Sequence, residues 1–231
     1  TDRDILDFSA IIHSTGADIK GPFVVLNETA FYPQGGGQPA DQGQIIFENT
    51  QLQVLHVAQE DSAIKHYIDK PVEQLWEGIQ TFCSINKERR MLNTRYHTAA
   101  HLIGNIVEAL YPSLKAIKGH SFPNEAYVSF EGAADLFDIH KVEAEVEKSI
   151  LGNASVLTFE TTLADFERRF YQLPYTITLN QNKSFRVVQI GIFSPIPCGG
   201  THVSFLSEIG KIRITKAKNK GNIIRLSYEV L

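Results

Sequence analysis

The first third of the chain contains short hydrophobic runs separated by polar turn residues. Runs of β-branched, aromatic and leucine side chains occupy residues 23–26, 44–47, 52–57 and 64–68. Spacing of this kind is typical of antiparallel strands that close into a barrel or pack as two sheets. The pattern predicts a small antiparallel β-barrel or sandwich, and we assign residues 1–85 to an N-terminal β-barrel domain.

After residue 85 the hydrophobic period becomes that of a helix. Apolar side chains recur every three or four residues through 88–110, and Pro112 follows shortly after. The remaining pattern predicts strands at 127–130, 156–159 and 186–190, helices at 138–151 and 164–171, and a hairpin from 211–216 and 223–228. The expected fold class is therefore α+β, with an α/β two-layer domain over residues 86–231.

Two histidines in the first predicted helix form half of a metal site. His97 and His101 are four residues apart, so they share one helix face. The other half must come from elsewhere in the chain, and the strongest candidates are Cys198 and His202 in the sequence PCGGTH. One thiolate and three imidazoles are ligands that zinc prefers, so we predict one zinc ion per chain.

The spacing of these four residues permits two kinds of zinc site. A structural site would use all four side chains, whereas a catalytic site would use three and leave one coordination position open. The turn at Gly199 and Gly200 would admit a ligand, and this favours chemistry. A metalloprotease is disfavoured because Thr98, rather than glutamate, follows the first histidine. A zinc nucleobase deaminase is disfavoured because its His-x-Glu and Cys-x-x-Cys motifs do not occur.

A glycine-rich stretch interrupts the strand pattern of the first domain. Gly35, Gly36 and Gly37 are consecutive and are followed by Gln38, without the Gly-Lys-Ser/Thr of a phosphate-binding loop. The stretch can be a tight turn, or a recognition loop in which glycine lets the backbone approach another group closely. We interpret His56 and His66, in the neighbouring strands, as structural, because neither has a partner at ligand spacing.

Charge is divided unevenly along the chain. Residues 1–85 carry 4 basic and 12 acidic side chains, a net charge of −8, whereas residues 86–231 carry 18 and 14, a net charge of +4. A polyanion contact is therefore expected in the second domain, where the basic residues Lys211, Lys216, Lys218, Lys220 and Arg225 cluster. A second basic group, Lys87, Arg89 and Arg90, lies at the start of the first predicted helix.

Composition excludes several other classes of protein. No apolar run approaches the roughly 20 residues that a membrane-spanning helix needs. The chain starts without the features of a secretory signal, and its two cysteines cannot build a disulfide framework. We therefore expect a cytoplasmic protein that does not bind membranes, and we take a monomer as the working expectation.

Three separated motifs resemble those of one known family. FYPQGGGQPADQG (residues 31–43), RYHTAAHLI (95–103) and PCGGTHV (197–203), in this order, resemble the free-standing alanyl-tRNA editing proteins, the AlaX family. That family is similar to the editing domain of alanyl-tRNA synthetase. Threonyl-tRNA synthetase editing domains share the His and Cys/His pattern but lack the glycine motif. The predicted barrel makes the chain similar to the medium-length members.

The resemblance implies hydrolysis of the ester that joins a wrong amino acid, chiefly serine and possibly glycine, to tRNA(Ala). It also implies that His97, His101, Cys198 and His202 are the zinc ligands. Substrate contacts would come from the three consecutive glycines, and catalytic or recognition roles would fall to Thr29, Gln38 and Thr201.

Two questions stay open at this stage. No carboxylate is placed as a general base, so the attacking water could lose its proton at the metal or to a substrate hydroxyl. The alternative functions are a non-catalytic, zinc-stabilised RNA-binding module and a metal hydrolase of an unrelated small ester or amide.

Overall fold

A computed structural model describes residues 2–60, 62–72, 76–133, 137–170 and 184–231. The chain forms two compact units, Thr1–Thr94 and Arg95–Leu231. Our division into domains at residue 85 stays a prediction. Tyr171, the last residue of one predicted helix, lies outside the described residues. Among the described helices, none combines the length and hydrophobicity needed to cross a bilayer.

The first unit contains a closed antiparallel β-barrel, as predicted. In the described residues its strands are β1 (Asp7–Asp18), β2 (Gly21–Leu26), β3 (Gly43–Phe47), β4 (Thr50–Glu60), β5 (Ala63–Ile68) and β6 (Gln80–Ile85). They close in the order β1-β2-β5-β4-β3-β6. Alternate side chains point inward, and Ile12, Val24, Ile45 and Leu52 are fully buried there. The hydrophobic pattern predicted β2 to β5 but not β1 or β6.

A buried ion pair fixes the long connection between β2 and β3. The guanidinium of Arg90 donates to Asp41 Oδ2 at 2.6 Å, and neither side chain is exposed to solvent. Asp41 Oδ2 also accepts from the Tyr32 N–H at 2.6 Å, and Arg90 donates to the Ala30 carbonyl at 2.7 Å. Arg90, which the sequence grouped with other basic residues, therefore lies in the interior of the first unit.

The second unit contains helices and two sheets. Its helices are α1 (Lys87–Leu110, whose residues from Arg95 onward belong to this unit), α2 (Ile139–Leu151) and α3 (Leu163–Phe170), with a 3₁₀ helix at Leu206–Ile209. Its strands are β7 (Lys115–His120), β8 (Tyr127–Glu131), β9 (Val156–Thr161), β10 (Phe185–Ile190), β11 (Ile196–Pro197), β12 (Ile212–Lys220) and β13 (Ile223–Val230). Among the described residues, one sheet has the order β12-β13-β8-β7 and the other β11-β10-β9.

The core of this unit lies against α1. Ala99, Ile103 and Val107 on α1 are fully buried in one cluster with Phe130 of β8 and Leu226 of β13. The buried face follows the 3.6-residue period that predicted the helix. The long, packed helix places its metal-ligand candidates on a rigid element.

Candidate metal centre

Four side chains predicted from the sequence converge in the second unit. The candidate ligand atoms of His97, His101, Cys198 and His202 all lie within 4.8 Å of one another. Cys198 Sγ is 3.1 Å from His97 Nε2 and 3.3 Å from His202 Nε2. The three imidazole centroids are 4.8 to 5.0 Å apart. The cluster therefore joins α1 to a loop about one hundred residues further along the chain.

These distances suit a zinc ion. Tetrahedral zinc with bonds of about 2.0–2.3 Å separates its ligand atoms by about 3.3–3.8 Å, so only small shifts are needed here. Three imidazoles and one thiol are also the soft and borderline donors that zinc binds. His97 Nδ1 is buried and has no hydrogen-bond partner among the described residues. Its other ring nitrogen, Nε2, faces Cys198 Sγ at 3.1 Å, so Nε2 is the atom that would bind the metal.

Burial keeps the imidazoles in the uncharged form that metal ligands need. It lowers the pKa of His97 well below its ordinary value, with further contributions from His101 and Arg186. Burial, followed by the charge of Arg186, lowers the pKa of His101 to about 4. Burial also lowers the pKa of His202 and raises that of the Cys198 thiol. A divalent metal would therefore displace a proton from cysteine but none from histidine.

Thr98 connects the helix to the loop at His202. Its Oγ1 is 3.2 Å from His202 Nδ1 and accepts a hydrogen bond from the Val203 N–H at 3.2 Å. A metal bound to His202 Nε2 requires the ring proton on Nδ1, and Thr98 Oγ1 would accept it. Thr98 thus orients the ring so that Nε2 faces Cys198. The sequence alone used Thr98 only to disfavour a metalloprotease, and no local signal indicates its contact with His202.

Arg186 holds the loop that carries the cysteine. Its Nη1 donates to the carbonyl oxygens of Cys198 at 2.9 Å and Gly200 at 2.6 Å. The Cys198 N–H donates back to the Arg186 carbonyl at 3.0 Å, and the Gly200 N–H lies 3.3 Å from Cys198 Sγ. These bonds fix the direction of Sγ. A basic residue within a mainly apolar strand was the sequence feature that could have identified Arg186.

Access to the cluster differs among its members. His97 and His202 are buried, whereas His101 and Cys198 are partly exposed. A water molecule or a substrate group would therefore approach from the side of His101 and Cys198. This arrangement is compatible with an open coordination position on that side of the cluster.

The glycine stretch of the first unit forms a tight turn. Gly35 and Gln38 exchange backbone hydrogen bonds of 3.2 and 2.9 Å, and both Gly36 and Gly37 have positive φ, at 53° and 80°. Positive φ at both central positions is the geometry of a type I′ turn, which strongly favours glycine. The turn interpretation therefore accounts for Gly36 and Gly37. Gly35 has ordinary φ, so its backbone does not require glycine.

The remaining predicted site residues occupy different environments. Thr29 is partly buried, and its Oγ1 is 2.9 Å from His66 Nε2. Gln38 in the first unit and Thr201 in the second have no exposed surface. The basic residues Lys211, Lys216, Lys218, Lys220 and Arg225 are exposed on or next to the β12–β13 hairpin. Their roles as site residues stay predictions.

Two family matches cover parts of the chain. Residues 7–89 match the family described as "tRNA synthetases class II (A)". Residues 185–226, which include Cys198 and His202, match the "Threonyl and Alanyl tRNA synthetase second additional domain". With the barrel and the His/Cys cluster, these matches define a chain built from tRNA synthetase-type domains that carries a candidate metal centre.

Individual relatives agree with these matches. The chain is 31% identical to an alanyl-tRNA editing protein AlaX-M of Methanosarcina barkeri, over 97% of this chain and 94% of that protein. It is 30% identical to AlaX-L of Pyrococcus horikoshii and 28% identical to an alanine–tRNA ligase of Korarchaeum cryptofilum. It spans 50% and 23% of the length of these two proteins, respectively. The chain belongs to the AlaX family of alanyl-tRNA editing proteins.

Proposed function

We propose that the protein is a zinc-dependent hydrolase that removes a wrongly attached amino acid, chiefly serine and possibly glycine, from tRNA(Ala). The observation that carries this proposal is the convergence of His97, His101, Cys198 and His202 in a member of the AlaX family. The names of the relatives support alanyl-tRNA editing, and the partly exposed side of the cluster supports chemistry there.

The residues around the cluster have separate roles in this proposal. His97, His101, Cys198 and His202 would hold the metal, which when bound would act as a Lewis acid toward an ester carbonyl. Arg186 keeps the Cys198 loop in place through its two carbonyl contacts. Arg186 also fixes a positive charge near the ligands, where negative charge develops as water attacks an ester. Thr201 and Gln38 are proposed to assist in positioning the substrate.

Serine recognition is proposed to depend on Thr29. His66 Nδ1 is 3.1 Å from the Val24 carbonyl oxygen, so Nδ1 must carry a proton. Burial lowers the pKa of His66 to about 4, so the ring is neutral and Nε2 is an acceptor. The Thr29 hydroxyl therefore donates to His66 Nε2 at 2.9 Å and accepts from the Phe31 N–H at 3.1 Å. The Thr29 hydroxyl oxygen can therefore offer a substrate only its remaining lone pair. The hydroxyl of a serine substrate can donate a hydrogen bond to this lone pair, whereas alanine has no hydroxyl.

The glycine turn and the basic residues would contact the substrate. We propose that Gly35, Gly36 and Gly37 allow close approach of the substrate to the backbone. We also propose that Lys211, Lys216, Lys218, Lys220 and Arg225 bind tRNA phosphates. The positive charge of these side chains supports this contact, since phosphate neutralisation dominates nucleic-acid affinity.

One experiment separates this function from its alternatives. Purified protein with its native metal would be incubated with tRNA(Ala) charged with labelled serine, and with alanine-charged tRNA as a matched control. Release of serine with retention of alanine supports the proposal. Binding of the charged tRNA without release would support a non-catalytic, zinc-stabilised RNA-binding module. A protein that neither binds the charged tRNA nor releases serine would favour a metal hydrolase of an unrelated small ester or amide.

A further inference from the structure

The sheet β12-β13-β8-β7 has two faces of different character. Side chains on one face, including Val128, Phe130, Ile224 and Leu226, are buried in the core. The opposite face follows from the strand register, which pairs Lys118 with Ser129, Ser129 with Arg225, and Arg225 with Lys218. The register likewise aligns His120, Tyr127, Ser227 and Lys216 in the next row. We name this second surface the outer face.

The outer face has a strong excess of positive charge. Its register positions hold the basic residues Lys115, Lys118, Arg213, Lys216, Lys218, Lys220 and Arg225. Its acidic positions are Glu131 and Glu229, and Glu229 pairs with Arg213. A third acidic residue, Glu125, lies 3.6 Å from His120 at the margin of the face. The basic side chains of the outer face outnumber its acidic side chains, so this face is complementary to a polyanion. The whole chain, in contrast, has a net charge of −4.

Aromatic rings stack on the same face. The rings of His120 and Phe122 are stacked with centroids 4.3 Å apart and planes 4° apart. His120 also stacks on Tyr127 at 5.2 Å. The Arg225 guanidinium lies 4.1 Å from the centre of the Tyr127 ring, and Lys118 Nζ lies 6.0 Å from it. The outer face therefore carries a row of planar groups beside its cationic side chains.

We propose that the outer face binds single-stranded nucleotides of RNA, with bases stacking on the His120–Phe122–Tyr127 group and phosphates contacting the flanking lysines and Arg225. Aromatic rings bordered by positive charge are the usual means of binding single strands, because every base has a flat apolar surface. Paired bases in an RNA duplex are stacked on each other, so rings on an open sheet have no access to them. An acidic membrane would use the lysines but does not require rings that are stacked in parallel.

This inference rests on the proposed function, since it takes charged tRNA as the natural source of the nucleotides. It deepens that function by adding a base-stacking contact to the proposed phosphate contacts. The ring cluster has its own evidence, because its geometry does not depend on the metal centre. The inner face of the same sheet packs against α1, which carries His97 and His101. The outer face is the opposite side of this sheet and is therefore separate from the His/Cys cluster.

The test is a titration of the full chain with a fluorescently labelled single-stranded RNA of about eight nucleotides. The same sequence annealed to its complement is the competitor. Phe122→Leu, which keeps an apolar side chain but removes the ring, should weaken binding roughly fivefold to a hundredfold. Phe205→Leu is the matched control, because Phe205 is an exposed ring outside this face. His120→Gln is a second ring variant in case Phe122→Leu unfolds, which a thermal melt would show.

The charge contribution is measured separately. Lys218→Ala should reduce the slope of log affinity against log salt by about 0.7, the value for one phosphate of a single strand. Lys141→Ala, on the exposed side of α2, should leave the slope unchanged. Equal affinity for the duplex, or ring variants that bind as the parent does, would overturn the proposal. Because this titration involves no hydrolysis, its result stands apart from the serine-release assay that decides the proposed function.

Discussion

The hydrogen bonds around Thr29 lead to a prediction about both stability and specificity. Replacing Thr29 with valine preserves the shape of the side chain but removes its hydroxyl. The Phe31 N–H then loses its acceptor, and the fully buried His66 Nε2 loses its donor. An unpaired buried polar group costs about 1–3 kcal/mol, so Thr29→Val should lower the free energy of unfolding by about 2–4 kcal/mol. Thr29→Ser keeps the hydroxyl and should stay close to the parent.

The same substitution should alter amino acid specificity. A site that hydrogen-bonds a substrate hydroxyl can reject the analogue lacking it by roughly 10⁴-fold. Thr29→Val should therefore slow single-turnover release of serine and narrow the preference for serine-charged over alanine-charged tRNA(Ala). Its zinc content should equal that of the parent. A Thr29→Val protein that still clears serine and spares alanine as the parent does would refute Thr29 as the selector, and Gln38 and Thr201 would be tested next.

A double variant separates the loss of stability from the loss of recognition. Replacing both hydrogen-bond partners with apolar groups costs less than leaving one of them unpaired. Thr29→Val combined with His66→Leu should therefore be less destabilised than the sum of the two single variants, with a coupling of about 1–2 kcal/mol in denaturant unfolding. Its serine release should stay slow. Additive stability effects would mean that the two side chains do not share the hydrogen bond.

Four further predictions concern the metal, the turn, the ion pair and the pH response. Cys198→Ala should lose most of the roughly one zinc per chain that elemental analysis should find in the parent. Gly37→Ala should lower the free energy of unfolding by about 1–2 kcal/mol, because the φ of Gly37 is 80°. Gly35→Ala should leave the free energy of unfolding unchanged. A loss of serine release in Gly35→Ala would therefore indicate that the substrate approaches the backbone at Gly35. Asp41→Asn, which leaves its buried arginine partner uncompensated, should cost about 3–5 kcal/mol in denaturant unfolding. Because the pKa of His66 is lowered from 6.5 to about 4 in the folded chain, between these two pH values the unfolded chain binds a proton at His66 that the folded chain does not. The free energy of unfolding should therefore fall as the pH drops from 6.5 towards 4. This fall should be smaller in His66→Leu.

The sequence predicted best those elements whose periodicity is long or unbroken. The helix expected at 88–110 is α1, Lys87–Leu110, and the strands expected at 23–26 and 64–68 are β2 and β5. The strand β1, Asp7–Asp18, was missed because it contains Ser, Thr, His and Gly among few large apolar side chains. Its place in the barrel depends on pairing with both β2 and β6, which is not local information.

The candidate ligands could be found from the sequence because their chemistry and spacing are informative within each segment. His97 and His101 are one helical turn apart, and Cys198 and His202 flank a short glycine turn. Their convergence was an inference that the structure supports. The identity of the metal and the number of side chains that bind it at once depend on how the two segments are arranged in space. Neither segment alone contains this information.

Supporting contacts were not predictable in the same way. A threonine on the buried face of a helix has several ordinary uses, and the identity of Thr98 alone does not select among them. Its role follows from the loop, which brings His202 Nδ1 and the Val203 N–H to 3.2 Å from the same hydroxyl oxygen. Because such a contact joins residues more than one hundred positions apart, it leaves no periodic trace in the sequence. The ligands are therefore recognisable from local spacing, whereas the orientation of at least one of them is determined by the tertiary fold.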